Sequence, residues 1–161
     1  MTWLVLLLLL LNITSVAPAI DPCDGAECLN GGQCVGEGVC DCVSGYSGST
    51  CNIITSPNYP QDYPNDFDKS YLIIGRPGQN IILSLNGQYC IEDEEGCNTN
   101  HLYSGDDCQY DYLELQGVRY CGDVPPIPVI VPPGENAIVR FHSDHSLTFT
   151  GFNLSITYTD V

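Results

Sequence analysis

Ten cysteines constrain this chain more than any other feature, and six of them fall between Cys23 and Cys51, separated by four, five, five, one and eight residues. A stretch of roughly thirty residues is too small to bury a core of its own, so cross-links that restrict the unfolded chain must replace it. The other four, Cys90, Cys97, Cys108 and Cys121, belong to a longer second part. An even number of cysteines calls for an oxidising compartment, and the N-terminus supplies the route. Trp3 to Leu11 is an uncharged apolar run too short to span a membrane, and the small-residue pattern Ala17-Pro18-Ala19 follows it. Residues 1–19 therefore read as a secretory signal peptide, which places the mature chain outside the cell; the Asn12-Ile13-Thr14 sequon would leave with it. No later segment reaches spanning length, because the apolar stretch from Pro125 to Pro133 is broken by prolines.

Charge narrows the partners. Four Lys plus Arg stand against twenty Asp plus Glu, a formal net charge of −16. No basic stripe can be assembled from so few cations, which disfavours nucleic acid, heparin and anionic membrane surfaces. Cationic groups and metal ions are what such a chain attracts, although most of its carboxylates serve only as a solvated surface.

The six-cysteine spacing, with Gly31-Gly32 in the second gap and Gly45-Tyr46-Ser47-Gly48 in the last, resembles an EGF-like domain over residues 20–51. That resemblance implies the bridges Cys23–Cys34, Cys28–Cys40 and Cys42–Cys51, among which spacing alone cannot choose. Calcium-binding EGF-like domains carry acidic residues before the first cysteine and an Asn or Asp plus an aromatic after the third. Here Asp21-Pro22 precedes Cys23 and Val35 to Val39 offers neither Asn nor aromatic, so no calcium is expected in this module. Receptor-activating EGF ligands place an Arg before the sixth cysteine, where this chain has Thr50. Ser47 matches the resemblance's acceptor pattern for extracellular O-linked N-acetylglucosamine, and a plain Gly/Ser turn explains the same residues.

From residue 52 onward the chain reads as short strands punctuated by turns, with Tyr71–Ile74, Asn80–Leu85, Tyr110–Gln116, Ala137–Ser143 and Phe152–Tyr158 as the clearest. Leu113 and Leu115 alternate with Tyr112, Glu114 and Gln116, which predicts one buried and one wet face. Ala137, Val139 and Phe141, and then Phe152, Leu154 and Ile156, repeat the pattern, while Pro77-Gly78, Asn86-Gly87 and Pro133-Gly134 mark turns. The fold class is all-β. Outward-facing Asn153, in Asn153-Leu154-Ser155, is a usable N-glycosylation site. Three separated motifs, Ser56-Pro57-Asn58-Tyr59-Pro60, Cys108-Gln109-Tyr110-Asp111-Tyr112-Leu113-Glu114 with its Tyr120-Cys121-Gly122 corner, and Phe141-His142-Ser143-Asp144, occur in the order found in CUB domains. The resemblance covers residues 52–161 and implies a jelly-roll-like sandwich of antiparallel sheets, with Cys108–Cys121 as its standard bridge. It departs from the usual pattern by lacking the first CUB disulfide, a loss shared with the first CUB domains of complement-initiating proteases. Cys90 and Cys97 stand instead in an inserted acidic loop and are expected to pair. The abutting junction between the two parts suggests a fixed mutual orientation.

The resemblance also implies a metal, because calcium-binding CUB domains, as in the complement-initiating and tolloid-type proteases, converge three carboxylates at one end of the sandwich. The matching positions are Glu92, Asp111 and Asp144, with Tyr63 bonded to the carboxylates and backbone carbonyls near Ser146 and Leu147 completing the shell; Asp93 or Glu94 are substitutes for Glu92. A hard cation needs several such oxygens. Calcium-ordered loops would then receive a Lys or Arg of an extracellular protein partner through a charge-assisted contact. Catalytic motifs are lacking, and His142 and His145, three apart on an extended strand, would point to opposite faces. The expectation is a non-enzymatic secreted binding protein that ends at Val161 without a catalytic domain. An EGF-like signalling ligand and a structural extracellular-matrix component are the other readings.

Overall fold

The computed structural model describes residues 23, 25, 27–94, 96, 97 and 100–161; residues 1–19, expected from the sequence to be a signal peptide, lie outside them. All described strands pair antiparallel, in three sheets. A hairpin of β1 (Gln33–Gly36) and β2 (Val39–Asp41) lies in the cysteine-rich segment, where Cys23 is bridged to Cys34, Cys28 to Cys40 and Cys42 to Cys51. Few of its side chains are buried, so the bridges and not a core hold it.

The rest is a two-layer sandwich. One sheet has the order β4 (Asp68–Ile73), β10 (Ala137–His142), β7 (Tyr112–Leu115), β8 (Val118–Gly122) and β6 (Leu102–Ser104). The other has the order β3 (Ile53–Thr55), β11 (Asn153–Asp160), β5 (Gln79–Leu85) and β9 (Val129–Val131). The core forms where the period-two apolar sets face each other. Tyr71, Ile73, Leu113, Leu115, Val139 and Phe141 of the first sheet meet Ile54, Ile81, Leu83, Val131, Leu154 and Ile156 of the second. Cys108–Cys121 ties the chain before β7 to β8, and Cys90–Cys97 closes the acidic loop after β5. Among the described residues no helix is long and apolar enough to cross a membrane.

Turn chemistry sets the strand ends. Gly78, after Pro77, takes a φ of 76° at the bend into β5, a conformation that suits glycine and follows proline readily. β7 is shorter than its apolar pattern suggests. It stops at Leu115 because Gln116 and Gly117 both have positive φ, 51° and 80°, and form the tight hairpin turn into β8. It starts at Tyr112 because Asp111 is turned toward Asp144.

One expectation fails instructively. Tyr112 is on the outer face of its sheet, yet it is only 5% exposed. The Arg119 guanidinium lies 4.1 Å over its ring, Arg140 lies at 5.7 Å, and the His142 imidazole stacks on it at 5.0 Å. The outer side of Tyr112 is therefore roofed by two guanidinium groups and an imidazole. His142 is correspondingly not a bare surface histidine, since its Nδ1 also lies 3.0 Å from the Asp68 carboxylate.

The cysteine-rich segment rests on the edge of the first sheet. The Tyr46 hydroxyl donates to the Leu72 carbonyl at 3.3 Å, its ring meets Tyr71 edge-on at 5.7 Å, and Lys69 Nζ donates to the Ser44 carbonyl at 3.3 Å. Arg76 bonds Glu27 and stacks on Tyr158 at 4.2 Å.

Candidate metal centre

Three carboxylates converge at one end of the sandwich, and the strands explain why. Asp111 immediately precedes β7 and Asp144 follows β10. These are neighbouring strands paired through His142 and Tyr112, so their ends bring the two acids together. Glu92 arrives from the loop after β5, held at Ile91 by a bridge to Gly122 of β8. Glu92, Asp111 and Asp144 each offer a carboxylate oxygen, and these oxygens lie within 4.8 Å of one another.

The surrounding bonds fix this geometry. The Asp144 N–H donates to Asp111 Oδ1 at 2.7 Å, and the Ser146 N–H and hydroxyl donate to Asp144 Oδ1 at 2.7 and 3.1 Å. Ser143 donates its hydroxyl to the Pro64 carbonyl at 2.8 Å and accepts the Phe67 N–H at 3.0 Å, so the Phe141-His142-Ser143-Asp144 motif clamps the loop that carries Tyr63. Tyr63 is buried, its ring edge-on to Phe141 at 5.0 Å. Its hydroxyl accepts the Glu92 N–H at 3.1 Å and lies beside the Asp111 carboxylate.

The electrostatics of the cluster are unfavourable on its own. Glu92 is 5% exposed and Asp111 fully buried, and Glu92 Oε2 and Asp111 Oδ2 have no hydrogen-bond partner. Two unit charges about 5 Å apart repel by about 3 kcal/mol at an effective dielectric of about 20. Burial, then Asp111, Asp144 and Asp93, push the Glu92 carboxyl up to about 7. Burial likewise raises Asp111 above its ordinary value, and burial and the neighbouring Asp111 raise the Tyr63 hydroxyl. Buried carboxylate oxygens without donors, in an all-oxygen set, fit a hard divalent cation. Ser146 reaches the cluster through its N–H and hydroxyl. Among the neighbours the sequence left open, Asp93 is buried beside Glu92 but does not join the convergent set, and Glu94 is exposed.

A family model described as the CUB domain matches residues 42–158. The chain belongs to the CUB domain family. CUB domains are non-catalytic protein-interaction modules, and the chain as a whole is 32% identical over 163 residues to Blastula protease 10 of Paracentrotus lividus, covering 89% of this chain and 26% of that protein. It is also 31% identical over 111 residues to Neuropilin-2 of Homo sapiens, covering 63% of this chain and 10% of that one. The chain thus spans about a quarter of the first relative's length and a tenth of the second's. Among solved structures, the MASP-1 CUB2 domain bound to Ca2+ is 29% identical with a TM-score of 0.53, covering 65% of this chain and 89% of that one. The CUB1-EGF-CUB2 domain of human MASP-1/3, at 24% identity and a TM-score of 0.55, covers 87% of this chain and 57% of that one and supports the fold.

Sequence reasoning missed the depth of the site. Nothing in the acidic loop signals that Glu92 and Asp93 are buried, because the burial comes from contacts with Tyr63 and β8 and not from local periodicity.

Proposed function

We propose that this CUB domain is a calcium-organised extracellular recognition module, in which Glu92, Asp111 and Asp144 hold the ion and the ordered loops present acidic oxygens to a Lys or Arg of a partner protein. The observation that carries this reading is the convergence of three carboxylates, two of them buried with unpartnered oxygens. The MASP-1 CUB2 structure bound to Ca2+ supports it by likeness. Calcium, when bound, supplies the positive charge that lets the three acids ionise together. Tyr63 positions Glu92 through its backbone N–H, and Ser146 orients Asp144. A basic side chain arriving at partly exposed Asp144 would form a charge-assisted contact stronger than a neutral hydrogen bond. Secretion, the EGF-like character of residues 20–51 as a spacer or second contact, and sugars on Asn153 and Ser47 belong to the same proposal.

Thermal unfolding of the full-length chain in calcium and in EDTA, for wild type and Asp111→Ala, tests it. The wild-type midpoint rises with calcium and that of the variant does not; an unchanged wild-type midpoint sinks the proposal. Partner binding that survives EDTA and maps to residues 23–51 would instead favour a signalling role for the cysteine-rich segment.

A further inference from the structure

We propose that the outer face of the five-stranded sheet is a second docking surface, separate from the acidic end, that receives an extended acidic and apolar segment of a partner protein. The outer face of an antiparallel sandwich sheet is ordinarily wet and polar. Here the register places Ser70, Arg140, Glu114 and Arg119 in one row across β4, β10, β7 and β8, with Leu72 and Ile138 side by side in the next. Leu72 is 54% exposed and Ile138 50%, and Ile74, continuing the outward set beyond β4, is 58% exposed. An apolar strip thus runs beside a row of mixed charge, in which Arg140 is paired with Asp68 and Arg119 stands at the end.

Arg119 decides the chemistry of the occupant. The chain has four Lys plus Arg against twenty acids. Arg76 pairs with Glu27, Arg140 with Asp68, and Lys69 donates to the Ser44 carbonyl. The Arg119 guanidinium lies over the Tyr112 ring and forms no hydrogen bond or ion pair with the described residues, although Glu114 is its cross-strand neighbour. A guanidinium carries five donors in a planar fork that matches a carboxylate, and stacking on an aromatic ring holds that fork in place before a partner arrives. Charge complementarity therefore specifies an Asp or Glu above Arg119, and the strip at Leu72 and Ile138 specifies an apolar residue beside it. Two strand spacings and two residues along the strand separate Arg119 from Ile138, about 12 Å. An extended peptide spans this in about four residues at ~3.3 Å each.

The probe is a synthetic extended peptide with Glu and Leu four residues apart, titrated into the isotopically labelled full-length chain while amide shifts are followed; a Lys-for-Glu peptide is the control. Expected are saturable shifts on β4, β10 and β8 with the Glu peptide, in calcium and in EDTA alike, weakening as salt rises. Arg119→Gln and Ile138→Ser each weaken binding by roughly tenfold, as loss of a charge-assisted or an apolar anchor should, while Glu27→Gln leaves it unchanged. Because Arg119 also covers Tyr112, the unfolding midpoint of Arg119→Gln is measured alongside. A midpoint like wild type makes the loss one of contact, and Ile138→Ser carries the test if that variant is destabilised. Unaltered binding by both variants, shifts confined to the acidic end, or a concentration-dependent dimer that occupies the face with a second copy of this chain overturns the proposal. Because calcium independence is part of the expectation, loss of calcium binding would leave this surface standing.

Discussion

The backbone N–H of Asp144 donates to Asp111 Oδ1 at 2.7 Å, joining two acids 33 residues apart in sequence. That bond needs an acceptor and not a charge, so Asp111→Asn retains it while removing one of three crowded negative charges. In EDTA the variant should unfold at or above the wild-type temperature. With calcium at about 100 times its dissociation constant, wild type gains about 2.7 kcal/mol, roughly 10 °C for a domain of this size, and the variant gains nothing. The two melting curves exchange order between the two buffers, and scanning calorimetry reads the crossover directly.

The Glu92 carboxyl, raised from an ordinary 4.5 to about 7 by burial and by Asp111, Asp144 and Asp93, makes the metal-free chain sensitive to pH. Its folded form binds a proton more tightly than its unfolded form. The associated stability is therefore fully present below 4.5 and is lost as pH rises through about 7. In EDTA the unfolding temperature should fall from pH 5 to pH 7.5, and Glu92→Gln should flatten that slope. Asp68, held below its ordinary value first by its hydrogen bond to Arg140, acts with opposite sign and at lower pH, outside this window. The stabilisation by calcium should grow across the same interval, because the ion needs the carboxylate ionised. A pH-independent midpoint in EDTA would show that Glu92 titrates normally.

Tyr63→Phe keeps the ring packed on Phe141 but removes the hydroxyl that accepts the Glu92 N–H. A buried donor left unmade costs about 1–3 kcal/mol. The urea midpoint should drop accordingly, and the calcium increment should shrink because Glu92 loses its anchor. Tyr59→Phe is the control: its hydroxyl accepts the Gln88 N–H at 3.0 Å in an exposed loop, where water can substitute, and its cost should be smaller.

The sandwich was legible wherever burial is periodic. Leu113 and Leu115, Ala137, Val139 and Phe141, and Leu154 and Ile156 all face inward as their alternation requires. β9 was obscured because Val129–Val131 is a short edge strand between prolines, a composition that suppresses any strand signal. Tyr112 was misplaced for a different reason. Its cover comes from Arg119, Arg140 and His142 on the two flanking strands, and a pattern along one strand carries no information about what reaches across from the next. The acidic cluster shows the same division. Asp111 and Asp144 could be located from their motifs, whereas the burial that strains Glu92 arises only when the loop meets Tyr63.

Gly45 has a φ of 100°, and a Cβ built there would fall 2.7 Å from the Tyr71 ring and against the Lys69 ammonium. Gly45→Ala therefore combines a backbone conformation that alanine resists with a collision at the docking contact, together costing about 1–3 kcal/mol. The disulfides hold the cysteine-rich segment and the two-sheet core holds the sandwich, so neither should unfold; what gives way is the seating of one on the other. Hydrogen exchange measures this. The Ser47 and Ile53 amides, which pair across the junction at 2.9 and 3.0 Å, should exchange faster in the variant, while amides of β7, β10 and β11 keep wild-type protection. A uniform loss of protection would mean instead that the two parts unfold as one cooperative unit, with the Tyr46–Tyr71 contact as part of a shared core.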